Sequence, residues 1–150
     1  KIAIGAGMKV IFSDMHEDHV DVELEFFDGQ RATFTCENAG FERVLAESDF
    51  ISVHVPGGDL IGNSEISKMK DGVFLMNASR GGVVNEEALL EAIESGKVAG
   101  AGLDVYTNEP TPAVKVLMNG KLSITPHIGA ATMEAQDRIG TELAAQIDKI

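Results

Sequence analysis

The chain has 150 residues, 44% hydrophobic and 24% charged, which is enough for one domain with a sizeable core. Its formal net charge of -12 argues against a nucleic-acid partner, because phosphate contacts need clustered Lys and Arg, but it leaves room for a small anion held by local charges. The single cysteine, Cys36, has no partner for an internal disulfide, and the chain shows no apolar run of spanning length and no signal-like N-terminus; a soluble cytoplasmic protein without membrane contact is the expectation.

The opening Lys1-Ile2-Ala3-Ile4-Gly5-Ala6-Gly7 reads as the last turns of a helix closed by glycine. Met8 to Asp14 reads as a buried strand ending in an acid. From Val20 to Cys36 apolar residues alternate around Asp28-Gly29, which predicts a β-hairpin, although Asp28-Gly29 also suits an ordinary loop. Phe41 to Glu47 is a short helix with Phe41, Val44 and Leu45 on one face. Phe50 to Val55 is a strand stopped by Pro56. Asn63 or Ser64 caps a short helix ending near Gly72, and Val73 to Met76 is a strand. Asn85 caps the next helix, whose positive end is complemented by Glu86 and Glu87, and Gly96 follows it. Val98 to Val105 and Leu122 to Ile124 are strands. The last helix runs from about Thr132 to the end, and Ala135, Ile139, Leu143 and Ile147 recur on it as on a packed face. Strands alternating with such helices imply right-handed crossovers and a parallel sheet covered on both faces: an α/β, Rossmann-like, doubly wound domain with a hairpin insertion near residues 20–36.

Three loops stand out. Met76 to Gly82 carries Arg80, Leu103 to Pro110 carries Asp104 and Glu109, and Ile124 to Ala130 carries His127. Each follows an apolar run, and in an open parallel sheet such loops gather at one edge, where ligands bind. Arg80 offers a planar fork to a carboxylate or carbonyl oxygen, and Gly81-Gly82 let the backbone come close. A carboxylate on an imidazole fixes its tautomer and stabilises its protonated form, so Glu109 and His127 suit proton transfer. The ordinary alternatives are a surface arginine in a turn, a helix-entry acid before Pro110 and a satisfied turn histidine after Pro126. Asp104 suits a turn cap or an acceptor for a ligand amide.

Asp14 stands where dinucleotide-binding domains place the acid that accepts from the adenosine ribose. The residues after it, Met15, His16 and Glu17, include no arginine for a 2′-phosphate, which favours NAD over NADP; the alternative is an acid that caps a loop. No phosphate-binding glycine turn opens a helix, since Gly5-x-Gly7 precedes the wrong strand, and a fragment lacking the first strand is the expectation. His16 and His19 lie in an acidic, solvated loop, His54 is expected to pack at a strand end, and no cysteine–histidine spacing indicates a metal site.

Residues 8 to 147 resemble the NAD-binding domain of the D-isomer-specific 2-hydroxyacid dehydrogenases. The resemblance rests on Ser48 to Pro56, Asn77 to Val84, Ala101 to Val105, Asn108-Glu109-Pro110 and Thr125 to Ala130, in that order. Within the family, Glu25 to Gln30 and Glu134 to Leu143 look most like short-form D-3-phosphoglycerate dehydrogenases, an activity of serine biosynthesis; a glyoxylate or hydroxypyruvate reductase and a dinucleotide-sensing corepressor are the alternatives. The resemblance implies that Arg80 binds the substrate, that His127 is the general acid/base and that Glu109 is its partner. It implies that Asp14 holds the ribose and Asp104 the nicotinamide carboxamide, that Ala78, Ser79, Arg80, His127, Ile128, Gly129 and Ala130 line the nicotinamide, and that His54, Val55 and Pro56 flank the adenosine. It further implies NAD as cofactor, a small 2-hydroxyacid or 2-oxoacid substrate, a homodimer and a separate substrate domain outside this chain. The loop Gly57 to Leu60 is shorter than expected after such a proline.

Overall fold

Four short apolar runs lie side by side and parallel, so the residues that end them form one row across the molecule. The computed structural model describes residues 1–129 and 131–148. A one-turn helix α1 (Ile2–Gly5) opens the chain, and β1 (His19–Glu25) pairs antiparallel with β2 (Arg31–Glu37). Val20 faces Cys36, Val22 faces Phe34 and Leu24 faces Ala32, so the expected hairpin forms in the register that keeps its apolar side chains on one face. Then follow α2 (Phe41–Glu47), β3 (Phe50–Val53), α3 (Asn63–Lys68), β4 (Val73–Asn77), α4 (Glu86–Ser95), β5 (Val98–Leu103), α5 (Val114–Leu117), β6 (Leu122–Ile124) and α6 (Met133–Ile147). The sheet order is β3-β4-β5-β6, all parallel. Asn77 lies beside Leu103, and Leu103 beside Ile124, which places three strand ends at one edge.

The core sits between this sheet and the helices of its crossovers. Leu75, Leu45, Ile61, Leu89 and Val98 are fully buried there. Each contributes about 1.5–3 kcal/mol of burial. Asn85 caps α4 by accepting from Ala88 N (3.0 Å), and Gly96 ends it in the left-handed conformation at φ 80°. Thr132 likewise caps α6 by accepting from Ala135 N.

Several expectations are corrected. Only one face of the sheet is covered among the described residues. Strand order follows chain order, and right-handed crossovers that all step the same way stack their helices on the same face. Ile51, Val53, Leu75 and Leu103 point into the core, whereas Phe50 and Phe74, half exposed, stack on the open face with centroids 5.2 Å apart. Met8 to Asp14 is not a buried strand. Its backbone pairing is limited to one bridge, Phe12 with Asn38, because no described strand runs beside it. The cap of α3 is Gly62, not Asn63 or Ser64: Glu65 Oε2 accepts from Gly62 N at 3.0 Å, and α3 ends at Lys68 rather than near Gly72. On α6 Ala135 is buried, but Ile139, Leu143 and Ile147 are 47, 56 and 62% exposed, since periodicity reports an apolar stripe and not what lies over it. The one-turn α5 was not anticipated, its four residues being too few to show a period. No helix among the described residues is long and apolar enough to cross a membrane.

Leu75 lies at the centre of the covered face with no exposed surface. Leu75→Ala is expected to lower the stability of this domain by about 3 kcal/mol, read as a shift of its urea midpoint at unchanged slope.

Candidate active site

The site is built on the carboxyl ends of β4, β5 and β6. At the end of β4, Asn77 is buried at 2% exposure and folds the next three residues around itself. Its Nδ2 donates to Arg80 O (3.0 Å), while its Oδ1 accepts from Ser79 N (3.1 Å) and Ser79 Oγ (2.8 Å). This turn leaves Arg80 at the surface, where Nη1 donates to Ser79 O. Gly81 then passes so close to the following loop that an added Cβ would lie 1.8 Å from Tyr106 O, so only glycine allows the Arg80 turn to lie there.

The loop after β5 is held from several directions. Asp104 N donates to Asn77 O (3.0 Å), and Thr107 N donates to Glu86 Oε1 (2.6 Å) at the start of α4. Asp104, 8% exposed, accepts from Thr125 Oγ1 (2.5 Å), Ile128 N (2.9 Å) and Gly129 N (2.9 Å). Burial pushes the Asp104 carboxyl up. The hydrogen bonds from Thr125, Ile128 and Gly129, helped by nearby His127, outweigh it and hold the group below the ordinary aspartate value. These bonds clamp the turn in which His127 takes φ 55°, a left-handed conformation uncommon for residues other than glycine.

Glu109 and His127 meet. Nδ1 of His127 lies 2.6 Å from Oε2 of Glu109, and Oε1 accepts from Tyr106 N at 2.9 Å. The hydrogen bond to His127, and after it the Tyr106 N–H, hold the Glu109 carboxyl below the ordinary glutamate value. An ionised Glu109 can only accept, so Nδ1 carries the proton, and Nε2 of the neutral ring is left as the basic nitrogen. A cavity of about 370 Å³ opens beside the pair, walled by Tyr106, Pro110, Leu117, Ile124 and Pro126.

The remaining expected residues are distributed along the same chain order. Arg80 shares the sheet edge with the pair, and its own hydrogen bond is local. Ala78 is exposed and Ser79 half-buried in its turn, and Ile128 and Gly129 follow His127 in the Asp104 clamp. His54 is exposed rather than packed, with Nε2 2.8 Å from Ser52 Oγ; Val55 packs against the core and Pro56 is exposed. Asp14 is exposed and has the geometry of a loop cap, its Oδ1 accepting from His16 N (2.8 Å) and Glu17 N (3.2 Å). The His16 N–H is the main cause that holds the Asp14 carboxyl low. Ala130 lies outside the described residues. No group of three or more metal-binding side chains stands together among the described residues. Asn77, Tyr106 and Thr125 carry site geometry that reading the sequence did not assign; the pattern of an asparagine closing a buried strand three residues before an arginine was the available signal for the first.

The carboxyl ends of parallel strands are where open α/β sheets take their ligands, and the turns at 78–80 and 127–129 lie at that edge. Residues 1–129 match the family model described as the NAD-binding domain of D-isomer specific 2-hydroxyacid dehydrogenases. The chain belongs to this family. Its cofactor is NAD, and the fold is that of the family's Rossmann-like domain. The hydroxypyruvate reductase of Thermotoga maritima is 42% identical over an alignment covering 99% of this chain and 47% of the relative. The D-3-phosphoglycerate dehydrogenase of Archaeoglobus fulgidus is 50% identical over 71% of this chain and 21% of the relative. Among solved structures, a glyoxylate reductase from Paecilomyes thermophila matches 93% of this chain and 41% of its own at 36% identity, with a TM-score of 0.76. The D-lactate dehydrogenase of Aquifex aeolicus, complexed with NAD and lactic acid, matches 98% of this chain and 47% of its own at 31% identity, with a TM-score of 0.72. The chain thus spans less than half the length of these relatives.

Because the folded-state value of Asp104 is depressed, its ionised form stabilises the domain fully above the ordinary value of 3.8, and that stability is lost as pH falls through the lower folded value. Asp104→Asn is expected to cost roughly 2–3 kcal/mol at neutral pH. The gap between variant and native domain should narrow below about pH 4, followed by urea unfolding across pH.

Proposed function

We propose that the protein carrying this domain reversibly oxidises a D-2-hydroxyacid, with Arg80, Glu109 and His127 as its site residues. The observation that supports this most is the 2.6 Å contact between Glu109 and His127 Nδ1 at the sheet edge that also bears Arg80. In oxidation Nε2 of His127 takes the proton from the substrate hydroxyl, and Glu109 stabilises the imidazolium that forms. Bound NAD supplies the hydride acceptor in oxidation and the donor in the reverse direction. Arg80 grips the substrate carboxylate and polarises the reacting oxygen through its planar fork. In reduction His127 starts protonated and gives the proton to the new alkoxide. Asp14 would hold the adenosine ribose, Asp104 the nicotinamide carboxamide, and residues 78–80 and 127–130 the nicotinamide, with His54, Val55 and Pro56 beside the adenosine.

The substrate we propose is D-3-phosphoglycerate, oxidised to 3-phosphohydroxypyruvate. The 50% identity to the Archaeoglobus fulgidus phosphoglycerate dehydrogenase supports it. A second reading, reduction of hydroxypyruvate, is favoured by the Thermotoga maritima reductase, whose alignment covers 99% of this chain. The ratio of kcat/KM for 3-phosphohydroxypyruvate to that for hydroxypyruvate decides between them. A separate substrate domain in the remainder of the protein belongs to the same proposal, supported by the share of its relatives that this chain spans; the homodimer is proposed on the family resemblance alone.

His127→Ala is expected to lower kcat by roughly 10²–10⁴-fold while NADH binding, read by fluorescence titration, is retained. Turnover that survives this change refutes the assignment. Glu109→Gln is expected to lower kcat by about 10²-fold and to move the acidic limb of the oxidation pH profile to lower pH, because the proton on His127 then has no carboxylate beside it. A superimposable profile would exclude the pairing role.

A further inference from the structure

Tyr106, the chain's only tyrosine, is 6% exposed and touches all three site loops. Its backbone N–H donates to Glu109 Oε1 (2.9 Å), and its carbonyl oxygen is the atom against which Gly81 packs, next to Arg80. Its hydroxyl donates to Thr125 O (2.7 Å), two residues before His127, and approaches Leu103 O at 3.3 Å. Thr125 is held at its other polar atoms as well, by N–H to Leu103 O (3.0 Å) and by Oγ1 to Asp104. The Tyr106 hydroxyl therefore completes the anchoring of the residue from which the His127 turn departs. A phenylalanine ring would fill the same space, so packing alone does not call for the oxygen.

Resting on the dehydrogenase reading above, we propose that Tyr106 is a positioning residue, whose hydroxyl ties the His127 loop to the Glu109 loop and so sets the short contact between imidazole and carboxylate. Burial, and after it the charges of Asp104 and Glu109, push the phenol up, which keeps its proton in place to donate. Without that bond the Thr125 carbonyl loses its donor, and the two loops remain joined through the Thr125 N–H to Leu103 O, Asp104 and the His127–Glu109 contact itself. A displacement of an ångström in a proton-transfer pair is enough to cost up to about 10²-fold in rate.

The test is Tyr106→Phe in the full-length dehydrogenase. Turnover is expected to fall roughly 10- to 10²-fold, with NADH affinity held within about twofold and the acidic limb of the oxidation profile moved in the same direction as in Glu109→Gln. In the Glu109→Gln background the same change is expected to cost less than about twofold, because the carboxylate that the contact serves is already gone. An unchanged kcat and pH profile, an equal loss in both backgrounds, or a loss of NADH affinity in step with turnover would each overturn the proposal. A readout without turnover is the ¹³C-detected titration of the Glu109 carboxyl. It should move up toward the ordinary glutamate value in the variant, and an unmoved titration also overturns it. A native protein that turns over no 2-hydroxyacid sinks the dehydrogenase reading; a native protein that does, beside an indifferent Phe variant, sinks only the role of Tyr106.

Discussion

Parallel register is the constraint on which the site depends. Asn77, Leu103 and Ile124 are hydrogen-bonded neighbours at the ends of adjacent strands, so the three segments that follow them must leave the sheet side by side. Residues separated by almost 50 positions in the chain, Arg80 and His127, are brought to one edge by that row alone. The chemistry needs little more from the backbone than this row and short loops.

A row of loops is not yet a site, because loops carry their own freedom. Here the Arg80 and His127 turns are each pinned by a buried polar side chain whose N and O atoms all have partners. Asn77 shapes the Arg80 turn with both ends of its amide, and Asp104 gathers two backbone N–H groups and a hydroxyl from the His127 turn. No buried side-chain N or O among the described residues is left without a partner. A fully satisfied polar group of this kind is costly to break and therefore specifies one arrangement. The left-handed His127 is the visible consequence: its conformation is unfavourable alone and is imposed by its neighbours' bonds to Asp104.

Much of the architecture was legible in the chain. The β1–β2 hairpin follows from alternation around Asp28-Gly29, and α4 from Asn85, its acidic first turn and Gly96, all of which are local signals. Arg80, Glu109 and His127 stood out because each follows an apolar run, and their neighbours resembled one family. What was not legible required knowledge of partners. Met8 to Asp14 has a strand's composition and no described strand beside it, and the α6 stripe is apolar and largely exposed. Tyr106 looked like one more residue in a loop, since nothing local shows that its hydroxyl reaches Thr125, nineteen positions away.

By itself the sequence determined the alternation of strands and helices, the chemical types available at the strand ends and the family to which they belong, because those rest on spacing, caps and short motifs. Tertiary structure alone decided that imidazole 127 meets carboxylate 109 at hydrogen-bonding distance, that Asp104 clamps the turn after His127, and that Gly81 must be glycine because a neighbouring carbonyl occupies the space of its Cβ. The reason is one of range: propensity and periodicity act over a few residues, whereas contacts between loops arise from the register of strands far apart in the chain.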